Sequence, residues 1–295
     1  MPRRLLVLGS LAVACASGRA ARPSGVETGP GAPAPPAAQP AGGGSRESPG
    51  VRLLPSTLRY RIERRIESVQ ELPNQQQVAR LGFAIFVTTS IRGPADSGGH
   101  PTTFTIDSIV ADSGVFLPIT VRLDAARGLS FVGKVTAEAE FRNSTPSDSA
   151  VAQGLARILG DFRDFYPHLP AGGVTLGAAW TDTISRTEKV GIFDRLTVTA
   201  INRSRAAALE DRGGSHSVRI EVNSTVTLSA AGEQGGQPVR LEGSGTRAGV
   251  EFVSVDGRYL GGESRDSIAQ TITLSLQGLV VPVRQVSHSL VTVLP

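Results

Sequence analysis

From residue 51 onwards, apolar and polar residues alternate along the chain with a period of two. In the clearest run, from 218 to 228, one set of alternate positions is apolar and the intervening set is polar. The apolar positions are Val218, Ile220, Val222, Val226 and Leu228, and the polar ones are Arg219, Glu221, Asn223, Thr225 and Thr227. Because successive side chains of a strand point to opposite faces, this pattern predicts a strand with one buried and one solvated face. Such strands are typical of antiparallel sheets.

Four other runs of the same kind are separated by turn signals. The runs begin at Leu58, Leu81, Leu129 and Ile268. The dipeptide Asp256-Gly257 predicts a tight hairpin turn. Further loops are predicted at Ser97-Gly98-Gly99, Arg212-Gly213-Gly214 and Gly232 to Gly236. The stretch 119–127 fits either a strand or a short helix.

One segment has the period of a helix instead. Its apolar residues recur at spacings of four, three, four and three, and they are Val151, Leu155, Ile158, Phe162 and Phe165. Ser147 or Asp148 is a suitable N-cap, and Pro167 disfavours helical geometry in the residue before it. The spacing predicts an amphipathic helix over 148–166.

These elements predict a mainly β fold. We expect a curved antiparallel sheet or half-barrel of about ten strands, with the one amphipathic helix packed against it, because a helix must bury its apolar stripe on another layer. Residues 51–295 then form a single β-rich domain. Its halves, 51–146 and 171–295, are joined by the helix 148–166.

The first fifty residues carry an export signal and a spacer. Arg3 and Arg4 precede about ten apolar residues, which is the length of a cleavable leader and too short to span a membrane. Cys15 follows them, as in bacterial lipoproteins, and this predicts a signal peptide over 1–14 and a diacylglycerol and palmitate anchor on Cys15. An ordinary secretory signal is the alternative, because Ala12-x-Ala14 also matches a cleavage site. Residues 15–50 are rich in Ala, Gly and Pro and predict a lipidated, disordered tether.

The composition and the residues after Cys15 limit which partners and which cell compartment we expect. Cys15 is the only cysteine of the 295 residues, so no intramolecular disulfide or zinc ribbon forms. The net charge is +4, and no stretch after the leader clusters arginines with aromatics, so we expect no nucleic-acid partner. Ala16 and Ser17 lack the aspartate that retains lipoproteins in the enterobacterial inner membrane. We therefore expect an anchor in the outer membrane, facing the periplasm.

A resemblance to known proteins begins at the junction of the helix and the second half. The junction has the sequence Phe165-Tyr166-Pro167-His168-Leu169-Pro170, followed by Gly177-Ala178-Ala179-Trp180-Thr181-Asp182. It resembles uncharacterised bacterial lipoprotein and secreted families of unknown function, in which a proline-containing loop precedes a Gly-x-x-Trp strand. The likeness covers about residues 55 to 295 and implies no activity. The expected architecture is similar to that of the Lol-pathway and mycobacterial lipid-carrying lipoproteins, by analogy of fold only.

The sequence shows no set of residues for catalysis, a metal or a cofactor. A Gly-x-Ser-x-Gly nucleophile elbow is absent, and His100, His168, His216 and His288 are too far apart for ligand pairs at helical spacing. Asp161 and Asp164 lie three residues apart on the predicted helix, where we expect a solvated charged face. We therefore predict a protein that is not an enzyme and carries no cofactor.

Two functions remain open. The first is a carrier whose sheet and helix enclose an apolar ligand such as a lipid, with Phe162, Phe165 and Trp180 lining the cavity. The second is a structural or interaction lipoprotein with a closed core that meets an envelope protein. A tryptophan at this junction also fits a core-filling role. A dry cavity of several hundred Å³ beside these residues would favour the carrier.

Overall fold

The computed structural model describes residues 50–112, 122–159 and 162–295. The predicted signal peptide, Cys15 and the tether up to residue 49 lie outside these residues. Asp161 lies outside them as well, as does the start of the ambiguous stretch 119–127. The described end of that stretch contains a short 3-10 helix, Leu123–Ala126.

Eleven strands and one α-helix make up the described fold. The strands are β1 Ser56–Leu72, β2 Gln75–Ile91, β3 His100–Ala111, β4 Ser130–Val135, β5 Phe141–Pro146, β6 Ala179–Val190, β7 Phe193–Arg212, β8 Ser215–Gln234, β9 Gln237–Ser254, β10 Tyr259–Leu274 and β11 Leu279–Leu294. The helix, α1, is Ser149–Leu159, and a second 3-10 helix, Ser275–Gln277, joins β10 to β11. No helix of the described residues is both long enough and apolar enough to cross a membrane.

All eleven strands form one open antiparallel sheet. Its order is β5-β4-β3-β2-β1-β11-β10-β9-β8-β7-β6, so each half of the chain is a meander and the halves meet where β1 pairs with β11. The predicted mainly β class with a single helix is confirmed. The predicted turn at Asp256-Gly257 joins β9 to β10, with Gly257 at φ 81°.

Helix α1 starts as predicted and ends earlier. Asp148 caps it, because its Oδ1 accepts hydrogen bonds from the N–H groups of Ala150 and Val151 at 2.9 and 3.0 Å. The described helix stops at Leu159, whereas the apolar period predicted a helix up to residue 166. Phe162 has a left-handed φ of 54°, and this turns the chain away from the helix axis. We call residues 162–170 the crossing segment.

The inner face of the sheet holds two apolar clusters. The first, the aromatic cluster, lies under α1 and the crossing segment, and Phe104 is at its centre, with ring centroids of Phe141, Phe162 and Phe165 at 4.7, 5.0 and 5.2 Å. Strands as far apart as β3 and β8 contribute to it, so the sheet must curl around it. Aromatic packing of this kind adds to the stabilisation from apolar burial.

The second cluster, the aliphatic cluster, occupies the other half of the long strands. It contains Phe193, Leu196, Leu241, Leu274 and Val281, all at most 2 % exposed, together with further Val, Ile, Leu and Ala residues of β7 to β11. Because successive long strands carry residues of both clusters, the sheet itself connects the two cores. The described helix contributes to the aromatic cluster alone.

Candidate functional site

A row of polar side chains crosses the inner face between the two clusters. The antiparallel register places one residue from each of six neighbouring strands directly opposite the next. From β11 to β6 the row consists of Ser287, Asp266, Arg247, Ser224, Asn202 and Asp182. We call these six residues the polar row. Polar groups on a largely buried face are unfavourable unless they are hydrogen-bonded, so the row must be internally connected.

Within each end of the polar row, neighbouring side chains are connected by hydrogen bonds or by an ion pair. At the β11 end, Ser287 Oγ donates to Asp266 Oδ2 at 2.8 Å, and Arg247 Nε lies 3.7 Å from Asp266 Oδ1. At the β6 end, Ser224 Oγ donates to Asn202 Oδ1 at 2.6 Å, and Asn202 Nδ2 donates to Asp182 Oδ2 at 3.0 Å. The polar row therefore consists of hydrogen-bonded and ion-paired side chains, and it lies between the aromatic cluster and the aliphatic cluster.

A cleft opens beside the polar row, on the side of the aromatic cluster. It has a volume of about 110 Å³ and lies between the sheet and the end of α1 with the crossing segment. Apolar side chains from both layers form its walls: Ile62, Phe83 and Ile85 from the sheet, and Ile158, Phe162 and Phe165 from the other side. Two small residues in register form the floor, because Ser289 of β11 lies opposite Ser264 of β10 and both line the cleft.

Charged side chains converge on this apolar cleft. Three arginines line it: Arg64 of β1, Arg163 of the crossing segment and Arg247 of β9. The acidic residues Asp164 and Glu251 line it as well. Convergent charges against apolar walls are typical of binding sites for small molecules.

Glu251 is the carboxyl group with the most perturbed environment in the cleft. Burial raises its pKa, and this effect outweighs the hydrogen bond from Tyr259 and the charges of Arg247 and Arg212, which lower the pKa. The Tyr259 hydroxyl donates to Glu251 Oε2 at 2.5 Å. The backbone of Tyr259 is held in place as well, since its carbonyl oxygen accepts a hydrogen bond from the hydroxyl of buried Tyr60 at 2.9 Å. The fold therefore holds the Glu251 carboxyl group in place with its pKa raised.

A second charged group, which we call the His168 junction, ties the crossing segment to the edge strand β6. His168 Nε2 lies 3.3 Å from Asp164 Oδ1, and Nδ1 lies 3.8 Å from Asp182 Oδ2. Arg186 of β6 also donates a hydrogen bond to Asp164. Burial lowers the pKa of His168, but the hydrogen bond that its ring donates to Asp164 and the charges of Asp164, Asp182 and Glu140 together hold that pKa above its usual value.

The predicted cavity residues are only partly together. Phe162 and Phe165 line the cleft, and both also pack in the aromatic cluster. Trp180 does not line the cleft: it packs against the aromatic cluster, and its indole N–H donates to the carbonyl oxygen of His168 at 3.1 Å. The aromatic rings fill the space that the carrier hypothesis assigned to an apolar ligand, and the cleft is smaller than the expected several hundred Å³.

A larger depression of about 520 Å³ lies elsewhere, between β4, β5 and the outer side of α1. Its rim is exposed and largely uncharged, with Asn143, Ser144, Ser149 and Gln153. It involves neither Phe165 nor Trp180. Because it lacks convergent charges, it is a weaker candidate than the cleft.

The expectation of a solvated charged face around Asp164 was wrong. The Asp164 side chain is 13 % exposed and is paired with buried Arg186, because the chain leaves the helix before this residue and turns it toward β6. His168, which looked isolated in the sequence, belongs to the same junction. Within the described residues, no three His, Asp or Glu side chains are arranged to hold a metal ion.

Sequence reasoning missed the arginines of the cleft, although one signal was present. On the inner face of β1 the order is Tyr60, Ile62, Arg64, Ile66, so a charge interrupts an otherwise apolar face. Arg247 likewise stands between Gly245 and Gly249 on the inner face of β9. Which side chains meet them depends on the register of distant strands.

Comparisons with known proteins give no family for this chain. No protein-family model matches the sequence, and no curated protein matches it significantly. Among solved structures, OccK2 (OpdF) of Pseudomonas aeruginosa is similar at 8 % identity and a TM-score of 0.29, covering 81 % of this chain and 98 % of that one. A similarity this weak carries no argument about function.

Proposed function

We propose that this chain is an exported lipoprotein, anchored through Cys15 in a cell-envelope membrane, whose domain binds a small amphiphilic ligand in the cleft. The main support for ligand binding is the composition of the cleft, where Arg64, Arg163 and Arg247 lie beside walls of Ile, Leu, Phe and Val side chains. Charged groups are costly to place on an apolar inner face. A fold that retains several of them in one opening is typical of a binding site.

The size of the cleft limits what it takes. Pockets for drug-sized ligands measure about 300–1,000 Å³, and the cleft measures about 110 Å³. It therefore suits a headgroup or another small polar group with a short apolar neighbour. The cleft is too small to enclose a whole lipid, so we propose a protein that binds part of its ligand in an open cleft, and not a carrier that encloses it.

The anchor rests on residues 3–15. The basic start, the short apolar stretch and Cys15 support a lipidated N-terminus, and Ala16 with Ser17 support an outer-membrane address facing the periplasm. Labelling with palmitate in a bacterial host tests this directly. We expect incorporation into the wild type and none into Cys15→Ala, and label that persists in the variant would refute the anchor.

Binding in the cleft is tested by blocking its floor. Octyl glucoside, octanoate and octyltrimethylammonium serve as probes with one chain length and different headgroups, measured by isothermal titration calorimetry. We expect at least one probe to bind the wild type and to lose at least tenfold in affinity in Ser289→Leu. The matched control is Thr292→Leu, on the exposed face of the same strand. Circular dichroism and the melting temperature confirm that both variants fold.

A structural or interaction lipoprotein is the second candidate, and the filled interior favours it. Both apolar clusters bury their side chains against the protein itself. If no probe binds the wild type in that titration, or if Ser289→Leu and Thr292→Leu behave alike, the ligand proposal fails and this candidate takes its place.

A further inference from the structure

We infer that the domain docks on the lipid surface by one end of its sheet, through exposed leucine and valine side chains around the point where the chain enters the fold. This inference rests on the proposed anchor at Cys15 and adds a second contact between the protein and the membrane. It does not depend on the cleft or on its ligand.

The described chain enters the fold at one end of the sheet. Gly50 is the first described residue, and β1 starts nearby, at Ser56. Strands β7 and β9 end on this side of the sheet and β8 and β10 start there, because consecutive strands run antiparallel. We call this side the entry end. The 3-10 helix Ser275–Gln277 joins β10 to β11 at the opposite end.

Backbone hydrogen bonds hold the entering segment across the entry end. The Leu54 N–H donates to the carbonyl oxygen of Gly257, in the turn between β9 and β10, at 2.9 Å. Val51 and Val174 exchange two backbone hydrogen bonds, each of 2.8 Å. The segment 50–55 therefore connects the β9–β10 turn to the loop before β6 and is fixed at both contacts.

Exposed apolar side chains lie beside these contacts. Leu54 of the entering segment, Val255 of the β9–β10 turn and Leu176 of the loop before β6 are 47, 54 and 56 % exposed. Leu209, near the end of β7, is 56 % exposed at the same end. We call these four side chains the entry patch. Large apolar side chains exposed in one region are typical of sites that meet a protein or a membrane.

The position of the tether indicates that the entry patch meets lipid. The composition of residues 16–49 predicts a disordered tether of about 34 residues, with a root-mean-square span of about 30–35 Å. The opposite end lies about 50 Å further away, which is the length of the sixteen-residue strand β10. An anchor at Cys15 therefore keeps the entry end nearest to the bilayer. Because tethering makes the contact intramolecular, a few apolar side chains suffice for docking.

The test places a fluorescent label at each end of the sheet. Cys15→Ala removes the only cysteine, so Leu176→Cys and Leu276→Cys each provide one thiol for an environment-sensitive nitrobenzoxadiazole label. Leu276 is the matched control, because it is 70 % exposed and lies at the opposite end. An N-terminal histidine tag holds the mature chain on vesicles of phosphatidylethanolamine and phosphatidylglycerol that contain a nickel-chelating lipid.

The label at the entry end should respond to the bilayer. We expect capture on the vesicles to raise its fluorescence at least twofold, and lipids that carry a doxyl quencher to reverse the rise. The label on Leu276→Cys should change by less than about 1.2-fold. Equal responses of the two labels, or no response of the label on Leu176→Cys, would overturn the inference.

Further variants identify the side chains that make the contact. Leu54→Ser together with Val255→Ser should reduce the rise at residue 176 by at least half. Val280→Ser, at a 53 % exposed position near the opposite end, should leave it unchanged. Melting temperatures confirm that these variants fold. Equal effects of the two sets of substitutions would contradict docking through the entry patch.

Salt distinguishes apolar docking from adsorption through charges. Interactions between exposed charges are largely screened at about 0.5 M salt, whereas apolar contacts are not. The rise at residue 176 should therefore persist at that salt concentration. Loss of the rise would assign the contact to charged side chains and overturn the inference.

The outcomes separate this inference from the proposed anchor, because the histidine tag replaces the lipid. A response at residue 176 without palmitate incorporation at Cys15 would leave the docking surface standing while the anchor fails. Palmitate incorporation without a response at residue 176 would give the opposite result, in which the anchor stands and the docking inference is wrong.

Discussion

At the scale of single residues, Gly261 combines a left-handed backbone conformation with a close approach of the neighbouring strand. Its φ is 86°, and a Cβ there would lie 2.1 Å from the carbonyl oxygen of Val291. It sits where the register of β10 with β9 shifts, between Tyr259 and Gly262. Gly261→Ala should therefore lower the free energy of unfolding by about 3 kcal/mol, combining a strained backbone with a clash.

The control for Gly261 isolates the clash. Gly235 also has a positive φ, of 58°, but no atom lies within 4 Å of the position its Cβ would take. Gly235→Ala should cost about 1 kcal/mol from the backbone alone. Urea unfolding of both variants measures the difference, and equal costs would show that the close approach to Val291 relaxes freely.

The His168 junction predicts a pH dependence of stability. Because the pKa of His168 is raised in the folded protein, its stabilising contribution is complete below the unfolded pKa of about 6.5 and is lost as pH rises through the folded value. The melting temperature of the wild type should therefore fall as the pH rises above about 6.5. His168→Gln should flatten this profile, and an unchanged slope in the variant would contradict the assignment.

The chemistry of the cleft could be anticipated only in part from single residues. Arg64 is a charged residue on the otherwise apolar inner face of β1, which marks it as a candidate for a role other than packing. Asp164 was assigned to a solvated face because the apolar period ran on to Phe165, and the chain turn at Phe162 reversed that assignment. The partnership of Tyr259 with Glu251 has no local signal, since it depends on how the β9–β10 bulge aims both side chains.

At the scale of elements, the cap of α1 is the most direct target. Two backbone N–H groups at the helix start depend on the Asp148 carboxylate. Asp148→Ala should lower the free energy of unfolding by about 1 kcal/mol, and Asp148→Ser should restore most of it because a serine hydroxyl accepts the same bonds. Chemical denaturation of the two variants checks this. Equal losses in both would mean that the cap contributes little.

Periodicity predicted the type of each element better than its end. The alternating run 218–228 lies inside β8, and the run from Leu81 to Val87 lies inside β2. Both were predictable because a half-buried strand needs apolar residues on one face and polar residues on the other, which gives a period of two in the sequence. The helix end was missed because aromatic residues at helical spacing also suit a non-helical chain that crosses the sheet. Phe162 and Phe165 reach the aromatic cluster from the crossing segment, although they continue the helical period.

At the scale of the whole molecule, the pairing of β1 with β11 is the contact that local patterns cannot give. Twelve residue pairs, from Arg59 with Leu294 to Gln70 with Val283, join the two ends of the domain into one sheet. A two-residue period specifies which face of each strand is buried but not which strand lies beside it. The cleft depends on this pairing, because Arg64 and Ser289 face each other across it.

The sheet also predicts that the two apolar clusters unfold together. Strands β7, β8, β9, β10 and β11 each run through both clusters and past the polar row, so one cannot lose its strands while the other keeps them. Trp180, the only tryptophan, packs against the aromatic cluster and reports on that cluster by fluorescence. Circular dichroism reports on the whole sheet, so the two transitions should coincide.

A substitution in the aliphatic cluster turns this into a test. Leu241 is fully buried there, and Leu241→Ala should cost about 2–5 kcal/mol. If the domain is one cooperative unit, the Trp180 transition must move to lower urea by the same amount as the circular dichroism transition, although Trp180 belongs to the other cluster. Val280→Ala, at a 53 % exposed position, should move neither. A Trp180 transition that stays in place while the circular dichroism transition splits would show that the polar row divides the sheet into two independently stable parts.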